Sequence, residues 1–273
     1  RYWEYDGRLG RRWNVDPVVK AAESRYAVFG GNPVRFMDPD GRDTVEIFMS
    51  GEKRGRYRSH IRAQGGDVFF LVDEEGRRVK SLEFRSHILE GLKRQSTFYW
   101  EGDKKVRSFI DIYRIRGDEH AQRLFEFLAD NTGVEWGWWQ SGESGARGLN
   151  FLTTTGMKAR EQGGWDLFKD QLRYGYTLRS HTHSHPFNPY PSGIDGRERG
   201  NPYGDIGFVL KVEEVLTRSG DKSRSPHLPT YRIYYRGTYI DYHKESRYED
   251  FMMYRHMIDS VIITPDSVDK EGD

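Results

Sequence analysis

The sequence predicts an α/β layered domain behind a loop-rich leading segment. Three observations carry this. Helical and strand-like patterns alternate from about residue 118 to 264, the signature of helices layered on a sheet. Strand-like alternation begins at Asp43, in Thr44-Val45-Glu46-Ile47-Phe48. Residues 1–43 show no helical period and are broken by punctuators such as Asn32-Pro33 and Asp38-Pro39-Asp40-Gly41.

The elements follow in order. Residues 66–72 read as a strand closed by a turn at Glu74-Glu75-Gly76, and 107–114 as another. Residues 118–131 read as an amphipathic helix, with Ala121, Leu124, Phe125, Phe127 and Leu128 at helical spacing and Asp118 and Glu119 favouring its start. Gly133 stops it, and a strand over 134–139 follows. Residues 149–155 give a strand, 165–172 a helix, and 174–183 a strand running into a histidine cluster. The stretch 206–212 reads as a strand, 231–235 and 238–242 as a hairpin around Arg236-Gly237, and 248–256 as a last helix leading into an apolar run at 260–264. The run 221–229 reads as a surface loop.

Composition narrows the function classes. Lys+Arg is 43 against Asp+Glu 42, a net charge of +1, so no overall basic field argues for nucleic-acid binding. The 15 Phe, 17 Tyr and 7 Trp suffice for an aromatic core. Cysteine is absent, so a metal has to be held by histidines and carboxylates. No apolar run of membrane-spanning length and no signal-peptide pattern is present. The chain begins with Arg rather than Met and reads as a piece of something longer.

The chemistry concentrates in Arg179-Ser180-His181-Thr182-His183-Ser184-His185-Pro186 and the segment up to Asp195. Residues i and i+2 of a strand share a face, so His183 and His185 present their imidazoles side by side, with His181 on the same face of a straight strand. Pro186 ends the strand, Ser192 is a good helix N-cap, and Asp195 falls in the first turn of the helix so capped. Two His and one carboxylate leave a fourth tetrahedral position open, the arrangement of a catalytic zinc. Such a site needs a further carboxylate as proton shuttle. Asp205, in Tyr203-Gly204-Asp205, reads as a turn residue, with a fourth carboxylate near the site as the other reading.

The order His183-Ser184-His185-Pro186, then Ser192-Gly193-Ile194-Asp195, resembles the JAMM signature of the JAB/MPN metallopeptidases, over roughly residues 115–212. The resemblance implies a JAB/MPN-like mixed β-sheet flanked by helices. It implies His183, His185 and Asp195 as zinc ligands, Glu135 as general base and Ser192 as a hydrogen-bond donor to the reacting oxygen. The distance to Ser192 matches the family's register from neither His183 nor His185. The pair His181/His183 therefore stays open beside His183/His185, which Pro186 favours, and Glu143 stays open as a reserve base.

Residues 1–43 resemble the end of an Rhs/YD-repeat core, through Asp6-Gly7-Arg8-Leu9-Gly10, Tyr26-Ala27-Val28-Phe29-Gly30-Gly31-Asn32-Pro33 and Phe36-Met37-Asp38-Pro39-Asp40-Gly41. That implies an effector whose toxin follows from about residue 43, with residues 44–114 a strand-rich part and 115–273 the metallopeptidase domain. It further implies a cognate immunity protein, cleavage near Gly41 with Arg42 following it, and delivery into a target cell by type VI or another contact-dependent route. The reaction implied is hydrolysis of a protein substrate. Two other classes stand beside it: a metal-dependent His-type nuclease, with Asn188 near the cluster, and a non-catalytic binding module of the same fold.

Overall fold

The computed structural model describes residues 5–6, 11–12, 43–62, 65–101, 104–160, 163–171, 177–194, 204–218 and 228–254. Most of the leading segment, the junction at Gly41, Asp195 and the run 260–264 lie outside the described residues. Within the leading segment, β1 (Tyr5–Asp6) pairs antiparallel with β2 (Arg11–Arg12).

Two mixed sheets follow. The smaller contains β3 (Asp43–Phe48), β4 (Tyr57–Ile61), β5 (Asp67–Val72) and β6 (Arg78–Phe84), in the order β4-β3-β5-β6 with β3 and β5 parallel. The larger has seven strands among the described residues. It is built from β7 (Leu89–Glu101), β8 (Lys104–Arg116), β9 (Gly137–Ser141), β10 (Leu149–Thr154), β11 (Ser180–Ser184), β12 (Thr230–Tyr235) and β13 (Thr238–Tyr242). Their order is β13-β12-β11-β9-β10-β8-β7, and only the β11–β12 pairing is parallel. Strands on both sides of residue 115 therefore share one sheet. The helices among the described residues are α1 (Asp118–Thr132), α2 (Gly163–Gln171) and α3 (Asp205–Arg218), with short 3-10 helices at Gly145–Arg147 and Tyr248–Tyr254.

Strand alternation divides the core. On one face, Trp139, Phe151, Tyr231, Ile233 and Tyr242 pack with Leu167 of α2 and Phe208, Val209 and Val212 of α3. On the other, Tyr113, Ile115, Trp138, Leu152 and Tyr234 pack against α1 and against Val45, Ile47, Phe69 and Leu71 of the smaller sheet. Residues one position apart in β8, β9, β10 and β12 thus reach opposite layers, as the two-residue period requires. His181, His183 and His185 share the parity that faces α2 and α3, whereas Ser184 points the other way, to the backbone N–H of Trp136 at 2.9 Å.

Several sequence expectations need correcting. Residues 206–212 are helical, part of α3. The run is apolar and partly β-branched, but Ile206, Val209 and Val212 recur every third residue, and the buried face made with Phe208 is worth more than strand propensity. The strand expected over 134–139 is β9, Gly137–Ser141. Glu135 and Trp136 precede it, held by Glu135 N–H to Met157 O at 2.9 Å and Ser184 N–H to Trp136 O at 2.8 Å. The strand expected over 174–183 is described only as β11. The strands β4, β6 and β7 carry no clear sequence signal, because their outer faces are polar and mask the alternation, as in Arg78-Val79-Lys80-Ser81-Leu82-Glu83-Phe84, exposed up to Ser81.

Candidate metal centre

The site sits where β11 leaves the sheet. His183 lies opposite Gly137 of β9 and Ile233 of β12, so its ring emerges between two strands, one of which has no side chain at that position. His185 follows β11, its backbone N–H held by Tyr234 O at 3.0 Å. The two Nε2 atoms are 2.9 Å apart. Both rings are nearly enclosed, with side-chain exposures of 3% for His183 and 10% for His185.

The carboxylate that meets them is Asp205, the first residue of α3. Its Oδ1 is 3.1 Å from His183 Nε2 and its Oδ2 is 3.5 Å from His185 Nε2. One donor atom from each of His183, His185 and Asp205 lies within 4.8 Å of the others. The turn reading of Asp205 is thereby overturned: it opens a helix, and it faces the histidines. Asp195, the expected ligand, lies outside the described residues.

Ser192 explains how α3 is aimed. Asp205 N–H donates to Ser192 Oγ at 2.9 Å, and Ser192 N–H donates to Asp205 Oδ2 at 2.6 Å. Ile206 N–H adds a bond to Ser192 O at 3.2 Å. This is a reciprocal cap made across thirteen residues rather than within one turn, satisfying orphan donors at the helix start. The fit is close: a Cβ on Gly204 would lie 3.1 Å from Ser192 Oγ. Capping uses a lone pair of Oγ and leaves the hydroxyl proton available to another acceptor. The helix so capped is α3 rather than one beginning directly after Ser192, since Gly193 and Ile194 are not helical, and this cap is compatible with the donor role.

Glu135 stands beside this group, its Oε1 4.0 Å from His185 Nε2. Its backbone is fixed on both sides, by the bond to Met157 O and by Thr154 Oγ1–H donating to its carbonyl at 2.9 Å. Glu143, the reserve base, is on an exposed loop in an ion pair with Arg147 at 3.4 Å. It follows the far end of β9, six residues from Gly137, or roughly 20 Å of extended chain. His181 packs into the core instead, 4.8 Å from the Phe208 ring and stacked 5.7 Å from His183. A Cβ on Gly164 of α2 would meet its Nε2 at 2.7 Å, so α2 closes directly over this ring.

The electrostatics act differently on the three ligand-type residues. Burial lowers the His183 pKa against the opposing pull of Asp205. Burial acts the same way on His185, but the hydrogen bond and charge of Asp205, with the charge of Glu135, outweigh it and raise its pKa. Burial works to raise Asp205, yet the adjacent His183 and His185 hold it well below the ordinary carboxylate range. Neutral imidazole and ionised carboxylate are the forms that bind metal. His183 and Asp205 are thus biased toward those forms, whereas His185 is biased toward its protonated form.

The fold and the site together define a class: a mixed sheet with flanking helices carrying two histidines and a carboxylate at the exit of a central strand. Residues 113–210 match the family model described as JAB-like toxin 1. That match supports a JAB-like toxin domain, and the two mixed sheets flanked by helices are consistent with a JAB-like fold. No curated protein and no solved structure matches the chain. No helix among the described residues is long and apolar enough to cross a membrane.

Proposed function

We propose that this domain is a zinc-dependent JAMM-type peptidase or isopeptidase acting as the toxin of a secreted Rhs effector. The observation that carries the proposal is the convergence of His183, His185 and Asp205, with the carboxylate of Glu135 beside them and outside the ligand group. The donor set suits a catalytic zinc, with three protein ligands and room for a fourth. Zinc bound there supplies a Lewis acid and brings the pKa of a water near 7. Glu135 takes a proton at its carboxylate and returns it to the leaving amine, as general base and then general acid. Ser192, held by Asp205, turns its hydroxyl proton to the substrate carbonyl oxygen. Residues 1–43 are the tail of the Rhs core, and a cognate immunity protein neutralises the toxin in the producing cell.

Glu135→Gln tests this assignment, because it preserves shape and removes the proton shuttle. The variant is expected to fold, to retain its zinc and to lose toxicity, and cells expressing wild type are expected to show new protein termini that are absent with the variant. Full toxicity of Glu135→Gln would overturn the base assignment. A toxic chain that generates no new termini would overturn the peptidase reading.

A further inference from the structure

The smaller sheet carries a second convergence of ligand-type groups, unrelated to the first. Asp43 begins β3 and Asp67 begins β5, and the two are direct partners in the parallel register. Both are enclosed, at 2% and 0% exposure. Parallel pairing thus sets two buried carboxylates side by side, a costly arrangement without positive charge between them.

Two imidazoles approach this pair. His87 Nδ1 is 2.9 Å from Asp67 Oδ1 and 4.0 Å from Asp43 Oδ2. His60 Nε2, from β4, is 3.1 Å from Asp43 Oδ2. One donor atom from each of Asp43, Asp67 and His87 lies within 4.8 Å of the others. Asp67 is rigidly aimed, since its Oδ2 accepts the backbone N–H groups of Ile88 at 2.7 Å and Leu89 at 2.6 Å. Its other oxygen is left towards His87. The His87 side chain is 47% exposed, which gives an ion a path from solvent.

We infer that Asp43, Asp67 and His87 form a second divalent-cation site, with His60 orienting the Asp43 carboxylate. Two carboxylate oxygens and one imidazole nitrogen suit a first-row divalent ion such as Zn2+ or Mn2+. His60 stands where an outer-shell partner of a ligating carboxylate belongs. A bound ion joins the start of β3 to β5 and to the bend before β7. It therefore fastens the first residues of the smaller sheet, two positions after Gly41, to the neighbouring interior strand β5.

The test is zinc stoichiometry of the full chain by equilibrium dialysis and elemental analysis, with circular dichroism to confirm folding. Wild type is expected to hold two zinc ions per chain, and His183→Ala/His185→Ala one. His87→Ala, at a half-exposed position whose loss spares the fold, is also expected to hold one, and the triple variant none. His60→Ala is expected to weaken the second site by about 10–100-fold. Zinc-free His183→Ala/His185→Ala would overturn the inference, as would His87→Ala with both ions retained. A wild-type count of one that disappears with His87→Ala would support the second site while removing the first.

Discussion

Asp205→Asn separates the ligand role of this residue from its structural one. Asparagine keeps an oxygen that can accept the Ser192 N–H bond, now 2.6 Å to the carboxylate. It removes the negative charge that stands 3.1 Å and 3.5 Å from the two imidazoles. Changing an outer-shell partner costs a metal site 10–100-fold, so loss of a direct anionic ligand should exceed the upper end, more than about 100-fold or roughly 2.8 kcal/mol. The folding cost is smaller. Loss of the negative charge at a helix N-terminus is worth about 0.3–1 kcal/mol, and the weaker Ser192 bond brings the total to about 1–2 kcal/mol. That corresponds to a fall of roughly 2–8 °C in Tm for a domain of this size. Competition titration against a chromogenic zinc chelator measures the first quantity, and a thermal melt of metal-free protein the second. Asp195→Asn is the control, expected to leave zinc affinity unchanged. If zinc affinity falls with Asp195→Asn and survives Asp205→Asn, the ligand is the one expected from the Ser-x-x-Asp spacing, and the reasoning from geometry fails.

Three further outcomes follow. His181→Ala should keep its zinc but lose roughly 2–5 kcal/mol of stability, as a large side chain removed from the core does; zinc loss at intact stability would make His181 a ligand. Asp118 accepts bonds from Arg179 at 2.8 Å, Gly145 N–H at 2.8 Å and Asn150 at 3.1 Å, and these outweigh burial and depress its pKa. A depressed carboxylate contributes stability that is full above its unfolded pKa near 3.9 and is lost as pH falls through the folded value. Urea unfolding should therefore show Asp118→Asn about 1.5 kcal/mol less stable at pH 7, with the gap closing below about pH 4; a constant gap would refute the cause. Intact mass after expression with the upstream Rhs core should show a new terminus within a few residues of Gly41, and an uncut product would mean that the junction stays covalent.

Much of the fold was legible because its signals are local. The α1 pattern of Leu124, Phe125 and Leu128, the Gly133 stop in left-handed conformation and the Arg236-Gly237 hairpin turn, where both residues have positive φ, each depend on a few neighbouring residues. The smaller sheet was harder to read. β4 has no buried residue and β6 exposes its first four, so they are strands because of their partners rather than their own periodicity. The same holds for the polar half of the β7–β8 hairpin, where Lys104 and Lys105 are exposed. Only the pairing supplies a reason for those residues to be extended.

The candidate site shows the same division. Histidines at alternate positions on one strand need only the two-residue period of that strand, so the side-by-side placement of His183 and His185 could be read directly. Asp205 was harder to read, because twelve intervening positions separate it from its cap, and no local pattern joins Ser192 to a helix that far along the chain. A signal was nevertheless present: an Asp directly ahead of Ile206, Val209 and Val212 is a helix start by composition and period. Reading that stretch as a strand removed the helix, and with it the reason to place Asp205 at an N-terminus. The error at 206–212 and the turn reading of Asp205 are therefore one error. Once α3 is a helix, its first carboxylate has to lie where Ser192 holds the helix end, and Ser192 follows Pro191 on the segment that leaves His185. The separation of Asp205 from His183 in sequence is thus bridged by a single reciprocal cap, so weakening that cap should loosen the metal site without touching a ligand. Gly204→Val supplies the perturbation, because its added atoms would meet Ser192 Oγ within about 3.1 Å. Zinc affinity should fall by roughly 10–100-fold, as when an outer-shell support is lost, while His183, His185 and Asp205 all remain. Unchanged affinity in a folded variant would mean that the cap does not position the carboxylate.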